Sequence, residues 1–520
     1  MNQVHAKKEN LLCGAALCFF VLVTTYKLTN APLWFDETIE YWYSRIMVGS
    51  LPYESAISGS ANMYQRIIST YQPPLYNVIM YFWLKISESE WWFRFFGVVM
   101  GFTGMTALYK TIQKIGNGYI AALAVIFSSC VYQLTYYWQE CAEYCLMLGT
   151  LFWTIYFWIC LIEKPDKKGI ICFTISAVIP VYSQYGAVFP VAAMAFTALL
   201  YLIILKDRQS IKTIIVAYII TLIGAALPLY CFFLKKQMLR QQAGEIAYKS
   251  ILFSVQAVKD FFYDLRTVFK WNFMSYCSDV TVMILLVILM IMILTVVILP
   301  CKRVVKLFAA TNILTWILYY FSVKAGIYSY GNFGSRYDLF FIPLWIVLNF
   351  AIAIEFGSML TRYIPERFGV KALYAGLCCC FILCFSYFGW ASKLQNNWNK
   401  EDCRGVVNTW YEVDAVNSDT IIYYGAVSGF AYYVRQSRQY SDTTENRVNY
   451  MDWCRDKNED EYREYVDSIY GDRWPGEIYV VASHTRDDVN TLVSSIMNEG
   501  YEREDVYVNE GAYLIRLTQK

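Results

Sequence analysis

The sequence predicts a polytopic α-helical membrane protein with about eleven transmembrane helices and a small C-terminal α/β domain outside the membrane. Of its 520 residues, 57% are hydrophobic, 18% are aromatic and only 17% are charged, so the chain is far more apolar than an average soluble protein. Eleven apolar runs are long enough to cross a bilayer, and Lys and Arg cluster in alternate loops between them. Lipid is therefore the expected solvent for most of the chain.

The apolar runs set the expected number of spans. A bilayer core about 30 Å thick requires about 20 apolar helical residues. The first run follows Lys7 and Lys8 and has no small-residue cleavage site before the next polar stretch, so we expect an uncleaved first span. The eleven runs are approximately 11–29, 95–113, 118–137, 145–162, 169–184, 186–205, 213–234, 280–299, 307–323, 339–357 and 372–391.

The basic residues between the runs predict the orientation. If the N-terminus is cytoplasmic, every short loop on the cytoplasmic side contains Lys or Arg, as the positive-inside rule requires. Three large polar regions then lie outside, at 30–94, at 235–279 and from 392 onward. We therefore expect a multi-pass cell-membrane protein with a transmembrane domain over 1–391 and an extracytoplasmic domain over 392–520.

A short apolar segment tests this topology. Pro73 to Ile86 is apolar but too short to span, and counting it as a span would place every later basic loop outside. We expect it to lie along the outer membrane face. Two amphipathic segments, Asp36 to Val48 and Asn62 to Thr70, are expected beside it.

The C-terminal part changes character, because charge rises and the apolar runs shorten. Strands are predicted at Thr420 to Tyr424, Glu477 to Ala482 and Gly511 to Leu517, and helices at Cys403 to Val413 and Asp487 to Glu499. Alternating strands and helices predict a small α/β domain.

Most of the 16 cysteines lie in apolar runs, where Cys acts as a small hydrophobic residue. Only Cys403 and Cys454 fall in the polar C-terminal part. They can pair if that part faces an oxidising compartment, or they can be two free thiols.

Two pairs of acids are candidates for chemistry. Asp36 and Glu37 come directly after the first span, and Glu140 and Glu143 lie where the third span reaches the same side. An aspartate at the membrane surface suits a general base that removes a proton from an attacking hydroxyl. The alternative for Asp36 is an acid in the first turn of a helix, and for Glu140 a helix-end acid beside interfacial aromatic residues.

The main cationic candidate is Arg336, in a Gly-Ser-Arg-Tyr-Asp segment at the outer end of the tenth span. An arginine there can hold a phosphate with two parallel hydrogen bonds, and nearby Lys324 can add charge. The alternative is an arginine that reaches to the interface and pairs with Asp338.

The sequence argues against several classes of partner. The net charge is only +2 and the basic residues do not cluster on one face, so the sequence does not indicate nucleic-acid binding. It also lacks a glycine-rich motif that would bind the phosphates of a soluble nucleotide. His5 and His484 are the only histidines, and Ser483 and His484 are predicted as a surface pair at a strand end. No zinc-like ligand spacing occurs, whereas a divalent cation on Asp36, Glu37 and Glu140 remains an alternative.

Short motifs over nearly the whole chain resemble those of one enzyme family. The chain resembles the polyprenyl-phosphate-dependent GT-C glycosyltransferases, which include protein O-mannosyltransferases and the lipid A aminoarabinose transferase. The motifs that carry the resemblance are the acidic pair at 36–37, QPPLY at 72–76, Arg94, QExxxY at 139–144, YSQYG at 182–186, SRY at 335–337 with Pro343, and EDCR at 401–404.

The resemblance implies an inverting glycosyltransferase that moves a sugar from a polyprenyl-phosphate carrier to a glycan, lipid or protein acceptor outside the cytoplasmic membrane. It implies Asp36 as the catalytic base with Glu37 supporting it, and Glu140 as a second active-site acid. The expected substrate-binding residues are Tyr144, Gln184, Lys324, Arg336 and Tyr337. The sequence departs from the family pattern at Ala142, where Arg is frequent, and at Gln184, where His is frequent, so donor or acceptor recognition can differ.

The alternative function is transport of a lipid-linked solute. Transporters are typically built from repeated halves and broken helices. We expect continuous spans, find no internal repeat, and see the polar candidates at one face, which favours the transferase.

Overall fold

The computed structural model describes residues 2–45, 70, 72–238, 255–273, 278–298, 301–328, 333–363, 400–437, 447–451, 457–471, 473–485, 488–509 and 511–520. The chain forms two compact units. We call the first the helical unit; it comprises Met1–Tyr26, Thr70–Tyr76 and Phe95–Asn396. The second, the mixed unit, comprises Lys27–Ser69, Asn77–Arg94 and Asn397–Lys520.

Helices account for most of the described residues. In chain order they are α1 (Asn2–Thr25), α2 (Phe35–Arg45), α3 (Leu75–Trp83), α4 (Glu90–Ile115), α5 (Gly118–Cys130), α6 (Tyr132–Gln139), α7 (Tyr144–Glu163), α8 (Lys167–Ser183), α9 (Val188–Leu205), α10 (Arg208–Thr221), α11 (Val255–Phe273), α12 (Asp279–Ile298), α13 (Arg303–Lys324), α14 (Phe341–Tyr363), α15 (Cys403–Glu412), α16 (Val427–Gln436), α17 (Glu459–Tyr470) and α18 (Asp488–Met497). Short 3₁₀ turns occur at Tyr185–Ala187, Arg336–Asp338 and Ala415–Asn417, and π-helical turns at Leu222–Ala226 and Leu229–Leu234.

Seven helical segments in the described part are long and apolar enough to cross a membrane, and a bent pair would make eight. They are Lys8–Thr25, Glu90–Ile115, Tyr144–Glu163, Tyr185–Leu205, Arg208–Met238, Arg303–Lys324 and Phe341–Ser358. The prediction of a polytopic helical membrane fold is confirmed, while the count of eleven spans stays a prediction. The last predicted run, 372–391, lies outside the described residues.

The expectation of continuous spans is wrong at the third run. The chain bends by 69° between α5 and α6, because Val131 takes an extended conformation between them. The carbonyls released at the break gain side-chain donors, as the Thr135 hydroxyl donates to Ser129 O at 2.9 Å. A helix break inside an apolar unit is tolerated when freed backbone groups are satisfied in this way.

The short apolar segment forms α3, which has only nine residues and is therefore about 14 Å long, too short to span. In the mixed unit, the rings of Trp83 and Trp92 stack at 4.3 Å, and each indole N–H donates to the other residue's carbonyl. The predicted amphipathic segment from Asp36 forms α2, and the one at 62–70 lies outside the described residues except for Thr70.

The C-terminal part of the mixed unit contains a five-stranded sheet. Its strands are β1 (Asp419–Ile422), β2 (Val448–Tyr450), β3 (Glu477–Ser483), β4 (Tyr501–Asn509) and β5 (Ala512–Gln519), in the order β2-β1-β3-β5-β4. The first three are parallel, and β5 runs antiparallel to β3 and β4. All three predicted strands and both predicted helices occur within a few residues of their predicted bounds, so the small α/β domain is confirmed.

The central strand is β3, whose residues Ile478 to Ser483 are all buried. A strand buried on both faces reads as a continuous apolar run, which is why the sequence shows it clearly. The predicted boundary between 391 and 392 lies outside the described residues and stays a prediction. The mixed unit also takes in Lys27–Ser69 and Asn77–Arg94, from the first predicted outside loop.

Candidate active site

Asp36 lies in the first turn of α2, in the mixed unit. Phe35 begins this helix, and Asp36 and Glu37 are its first-turn acids, where the helix dipole favours negative charge. Asp36 is half-buried, whereas the Glu37 side chain is only 2% exposed. The two adjacent carboxylates therefore occupy different environments.

Glu37 is held by a buried arginine at the start of α4. Arg94 Nη2 lies 2.6 Å from Glu37 Oε2, and Arg94 Nε donates to Oε1 at 3.0 Å. The Arg94 side chain is 6% exposed. Two parallel charge-assisted hydrogen bonds in a buried position form a strong, oriented pair, so Glu37 is engaged in holding the helix start.

Arg94 also holds the segment that leads into α2. Its Nη1 donates to Leu28 O at 3.0 Å and to Ala31 O at 2.6 Å, and its Nη2 donates to Pro32 O at 3.0 Å. The guanidinium thus joins three carbonyls and the carboxylate of Glu37, with that of Glu90 at 3.4 Å, which fixes the chain just before Asp36. The sequence signal for this role is an arginine in an apolar helix, which requires internal partners.

A second buried acid on α2 was not among the predicted site residues. Glu40 is 6% exposed and accepts a hydrogen bond from Asn77 Nδ2 at 2.8 Å. Asn77 also donates to the Ser44 hydroxyl at 3.3 Å. Glu40 lies one helical turn after Asp36, a spacing that can be read from the sequence, but its partner on α3 cannot.

Glu140 and Glu143 lie in the helical unit, in the turn between α6 and α7. Glu140 is 6% exposed and Glu143 is 1% exposed. The preceding residue, Gln139, donates from Nε2 to Thr24 O at 2.6 Å and to Tyr26 O at 3.1 Å, so the end of α1 positions this turn. Ionisable side chains that are buried in an apolar unit usually have a specific role, which makes both acids candidates for function.

Arg336 is presented by a tight turn before α14. The Ser335 hydroxyl accepts from Tyr337 N, and the Asp338 carboxylate accepts from Gly334 N and Ser335 N. Gly334 has φ +79°, in the left-handed region that favours glycine. This turn leaves the Arg336 side chain half-buried.

The alternative in which Arg336 pairs with Asp338 differs from the structure. The Asp338 carboxylate instead accepts from the Tyr319 hydroxyl as well as from the two backbone groups. Burial raises the pKa of Asp338 to about 7, against the effect of these hydrogen bonds. Asp338 therefore organises the turn rather than neutralising Arg336.

The charges of Arg336 and Glu143 act on two buried tyrosines, Tyr137 and Tyr144, and the charge of Glu140 acts on Tyr137. The Tyr137 hydroxyl lies in the field of Glu140 and Arg336. The Tyr144 hydroxyl lies in the field of Glu143, Arg336 and Tyr337. The predicted site residues Glu140, Tyr144, Arg336 and Tyr337 are thus brought together in the helical unit, although 192 residues separate Tyr144 from Arg336 in sequence.

Gln184 follows α8 and is 5% exposed. Its Nε2 donates to the Tyr328 hydroxyl at 3.2 Å, and Tyr328 lies in the field of Glu143 and Tyr337. Among the described residues, Gln184 Oε1 has no hydrogen-bond partner. A buried amide oxygen that accepts no hydrogen bond lowers the stability of the folded protein. Gln184 Oε1 is therefore suited to accept a hydrogen bond from a hydroxyl of a bound substrate.

Lys324 lies at the end of α13 and is engaged in an ion pair. Its Nζ lies 2.9 Å from Asp264 Oδ2 and 3.9 Å from Asp260 Oδ2, both on α11. Part of its charge is therefore compensated by these acids. Its predicted contribution to phosphate binding stays a prediction.

Metal binding receives no specific geometric support. Within the described residues, no group of three or more His, Cys, Asp or Glu side chains is arranged to hold a metal ion. Glu37 has Arg94 as its partner, which makes it a poor candidate ligand. The alternative of a divalent cation on the predicted carboxylates stays untested.

The cysteine alternatives are resolved for one residue only. Cys403 is a buried free thiol, and its Sγ lies 3.3 Å from the Ser483 hydroxyl. Burial raises the pKa of the Cys403 thiol to about 12, so this thiol is unreactive near neutral pH. Cys454 lies outside the described residues.

Comparison with known proteins agrees with the resemblance seen in the sequence. Residues 71–232 match the model of the dolichyl-phosphate-mannose-protein mannosyltransferase family. A search of curated proteins finds no match. The matched segment contains five of the site candidates discussed above, which are Arg94, Glu140, Glu143, Tyr144 and Gln184.

Two solved structures align over nearly the whole chain. The crystal structure of ArnT from Cupriavidus metallidurans bound to undecaprenyl phosphate aligns over 97% of both chains, with 10% identity and a TM-score of 0.50. The Archaeoglobus fulgidus oligosaccharyltransferase, solved with zinc and sulfate, aligns over 96% of this chain and 72% of its own, with 10% identity and a TM-score of 0.49. The first comparison shows that the chain has the GT-C fold.

Proposed function

We propose that this protein is an inverting glycosyltransferase that moves a sugar from a polyprenyl-phosphate carrier to an envelope glycan, lipid or protein acceptor on the outer face of the cytoplasmic membrane. The observation that carries the proposal is the half-buried carboxylate of Asp36 in the first turn of α2, a helix start that the buried Arg94–Glu37 pair holds in place. The family match over residues 71–232 and the ArnT-like fold support it.

The proposed reaction is a single displacement. Asp36 accepts the proton of an acceptor hydroxyl as the hydroxyl oxygen attacks the anomeric carbon of the sugar. The new glycosidic bond forms as the bond from the anomeric carbon to the phosphate oxygen breaks. The electron pair of that bond leaves with polyprenyl phosphate, and the configuration at the anomeric carbon inverts.

The proposed phosphate ligand is Arg336. A phosphate leaving group remains an anion, so cationic donors stabilise it better than a general acid does. The capped turn around Asp338 sets the Arg336 backbone, and the surrounding candidates Glu140, Tyr144, Gln184 and Tyr337 suit the sugar and its phosphate. Lys324 is proposed only as a longer-range charge.

The proposed orientation places the N-terminus in the cytoplasm and residues 392–520 outside. It rests on the basic cytoplasmic loops. The acceptor would then be reached from the extracytoplasmic side, where lipid-linked sugars replace soluble nucleotide donors.

The chemical identity of the donor lipid after incubation tests the proposal. We would reconstitute the full chain in liposomes with the polyprenyl-phosphate sugars extracted from a deletion strain, and add the envelope extract of that strain as acceptor. We expect mass spectrometry to show polyprenyl phosphate and an acceptor larger by one sugar. A transporter would leave the lipid-linked sugar chemically unchanged, and that result would refute the transferase proposal.

Arg336→Lys is expected to weaken donor binding by roughly 10-fold to 100-fold, because a point charge cannot form the two parallel hydrogen bonds of a guanidinium. The apparent KM for the donor lipid, measured in the same liposomes, should rise by that factor. Arg208→Lys is the matched control, since Arg208 is exposed at the start of α10. Equal KM values for Arg336→Lys and Arg208→Lys would show that Arg336 does not bind the donor phosphate.

A further inference from the structure

The carboxyl ends of β1 and β3 form an edge of the sheet that usually binds ligands. From β1 the chain passes to β2 on one side and later to β3 on the other, so the strand order reverses at this point. Crevices at such switch points, outside the carboxyl ends of parallel strands, are the common ligand sites of α/β sheets. Here β3 ends at Ser483, and His484 is the next residue.

This edge is occupied by the residue that precedes Asp36. The rings of Phe35 and His484 stack at 4.2 Å with an angle of 9° between their planes. His484 has φ +52°, a left-handed conformation that a residue with a side chain rarely adopts. Such backbone conformations persist where the surrounding contacts enforce them, and they cluster at functional sites.

Glu401 connects the same two residues through its two oxygens. Phe35 N donates to Glu401 Oε2 at 2.9 Å, and His484 Nδ1 lies 2.5 Å from Glu401 Oε1. The Phe35 N–H belongs to the first turn of α2, where the helix itself supplies no acceptor. Glu401 is 7% exposed, so it caps α2 from a buried position 366 residues away in sequence.

These contacts correct the prediction of a surface pair at 483–484. Ser483 is 1% exposed, and its hydroxyl donates to Gly425 O at 3.2 Å. His484 contacts Glu401 and Phe35, and only 27% of its side chain is exposed to solvent.

We propose that Glu401 and His484 are positioning residues for the transfer reaction, which set the backbone of Phe35 and thereby the carboxylate of Asp36. This inference rests on the proposed function, in which Asp36 is the base. The Asp36 Cα lies about 3.8 Å from that of Phe35, so a change in the first turn of α2 moves the base directly. Misplacement of a reacting group by about 1 Å can cost about 100-fold in rate.

Other contacts in the mixed unit hold the preceding segment independently. Arg404 donates to Thr29 O at 3.1 Å and to Asn30 O at 2.8 Å, and Leu33 N donates to the Tyr433 hydroxyl at 2.6 Å. Loss of the Glu401 contact should therefore loosen the start of α2 without releasing the whole segment. The expected signature is a lower kcat with an unchanged donor KM.

Two substitution pairs separate positioning from simple stability. Glu401→Ala removes the acceptor for Phe35 N and is expected to lower kcat by roughly 10-fold to 100-fold, whereas Glu401→Gln keeps an acceptor and should recover kcat to within a few-fold of wild type. His484→Phe keeps a ring against Phe35 but loses the donor to Glu401, and His484→Gln restores a side-chain N–H donor. We expect lower kcat in His484→Phe and at least partial recovery in His484→Gln.

The assay is the liposome transfer reaction, with thermal unfolding of each purified variant measured alongside. Equal losses in Glu401→Ala and Glu401→Gln, or losses that follow the unfolding temperature, would show a purely structural role. Wild-type kcat in Glu401→Ala, with Asp36→Asn inactive, would overturn the positioning role alone. Wild-type turnover in Asp36→Asn would instead overturn the base assignment and this inference with it.

Discussion

Asp36→Asn is expected to lower the rate of sugar transfer by roughly 100-fold to 10,000-fold, the usual contribution of a general base. Asparagine is nearly the same size as aspartate and is also favoured near helix N-termini, so folding and membrane insertion should be preserved. The substitution removes the group that accepts the acceptor's proton. The donor lipid should still bind, because the proposed phosphate ligand is Arg336.

Two measurements check this expectation. The first is the transfer rate in liposomes, and the second is mass spectrometry of envelope glycans, glycolipids and glycoproteins from cells with wild type, a deletion, or Asp36→Asn at matched expression. The point variant should lack the same sugar as the deletion. Asp460→Asn is the matched control, because Asp460 is exposed in the first turn of α17. A wild-type sugar profile in Asp36→Asn would mean that Asp36 is not the base.

Arg94→Met is expected to destabilise the mixed unit by about 3–5 kcal/mol, because it leaves the buried Glu37 carboxylate without its cation. The three carbonyls that Arg94 joins also lose a donor. Methionine keeps a long, flexible apolar side chain that can fill part of the space. We therefore expect a lower unfolding temperature and less protein in the membrane, with the remaining folded protein poorly active.

The size of this effect depends on burial, which a matched pair of variants can test. Arg463→Met removes an exposed arginine that pairs with Glu499 at 2.9 Å, and exposed pairs contribute only about 0–1 kcal/mol. The double variant Arg94→Met with Glu37→Leu removes both buried charges and should recover part of the stability. A similar unfolding temperature for Arg94→Met and Arg463→Met would contradict the assigned role of the buried pair.

Local sequence patterns predicted most of the elements that can be compared. The strand at Glu477–Ser483 and the helix at Cys403–Glu412 were recognised from the sequence. The spacing of their apolar residues and the residues that begin and end them all lie within a short stretch of chain. The nine-residue α3 was recognised as too short to span because length alone decides that question. The bend between α5 and α6 was missed, since side-chain hydrogen bonds rather than Pro or Gly accommodate it there.

The candidate site was only partly visible in the sequence. Asp36 and Glu140 stand out because acids beside apolar spans are costly and therefore informative. The pairing of Lys324 with Asp264 was not visible, because neither residue carries a signal for the other. The same holds for Asp338, whose acceptor role in the Arg336 turn depends on the buried Tyr319 hydroxyl of α13.

The sequence by itself determined that most of the chain lies in a lipid membrane and approximately where the spans lie. It also determined the secondary structure of the C-terminal part and the residue types available for chemistry. These features depend on composition and on spacing along the chain. Only the tertiary structure decided which partner each charged group has. Glu37 pairs with Arg94 across 57 residues, and Glu401 caps α2 across 366 residues. Such contacts depend on how distant segments pack, and a buried charge is stable only with the partner that packing brings to it.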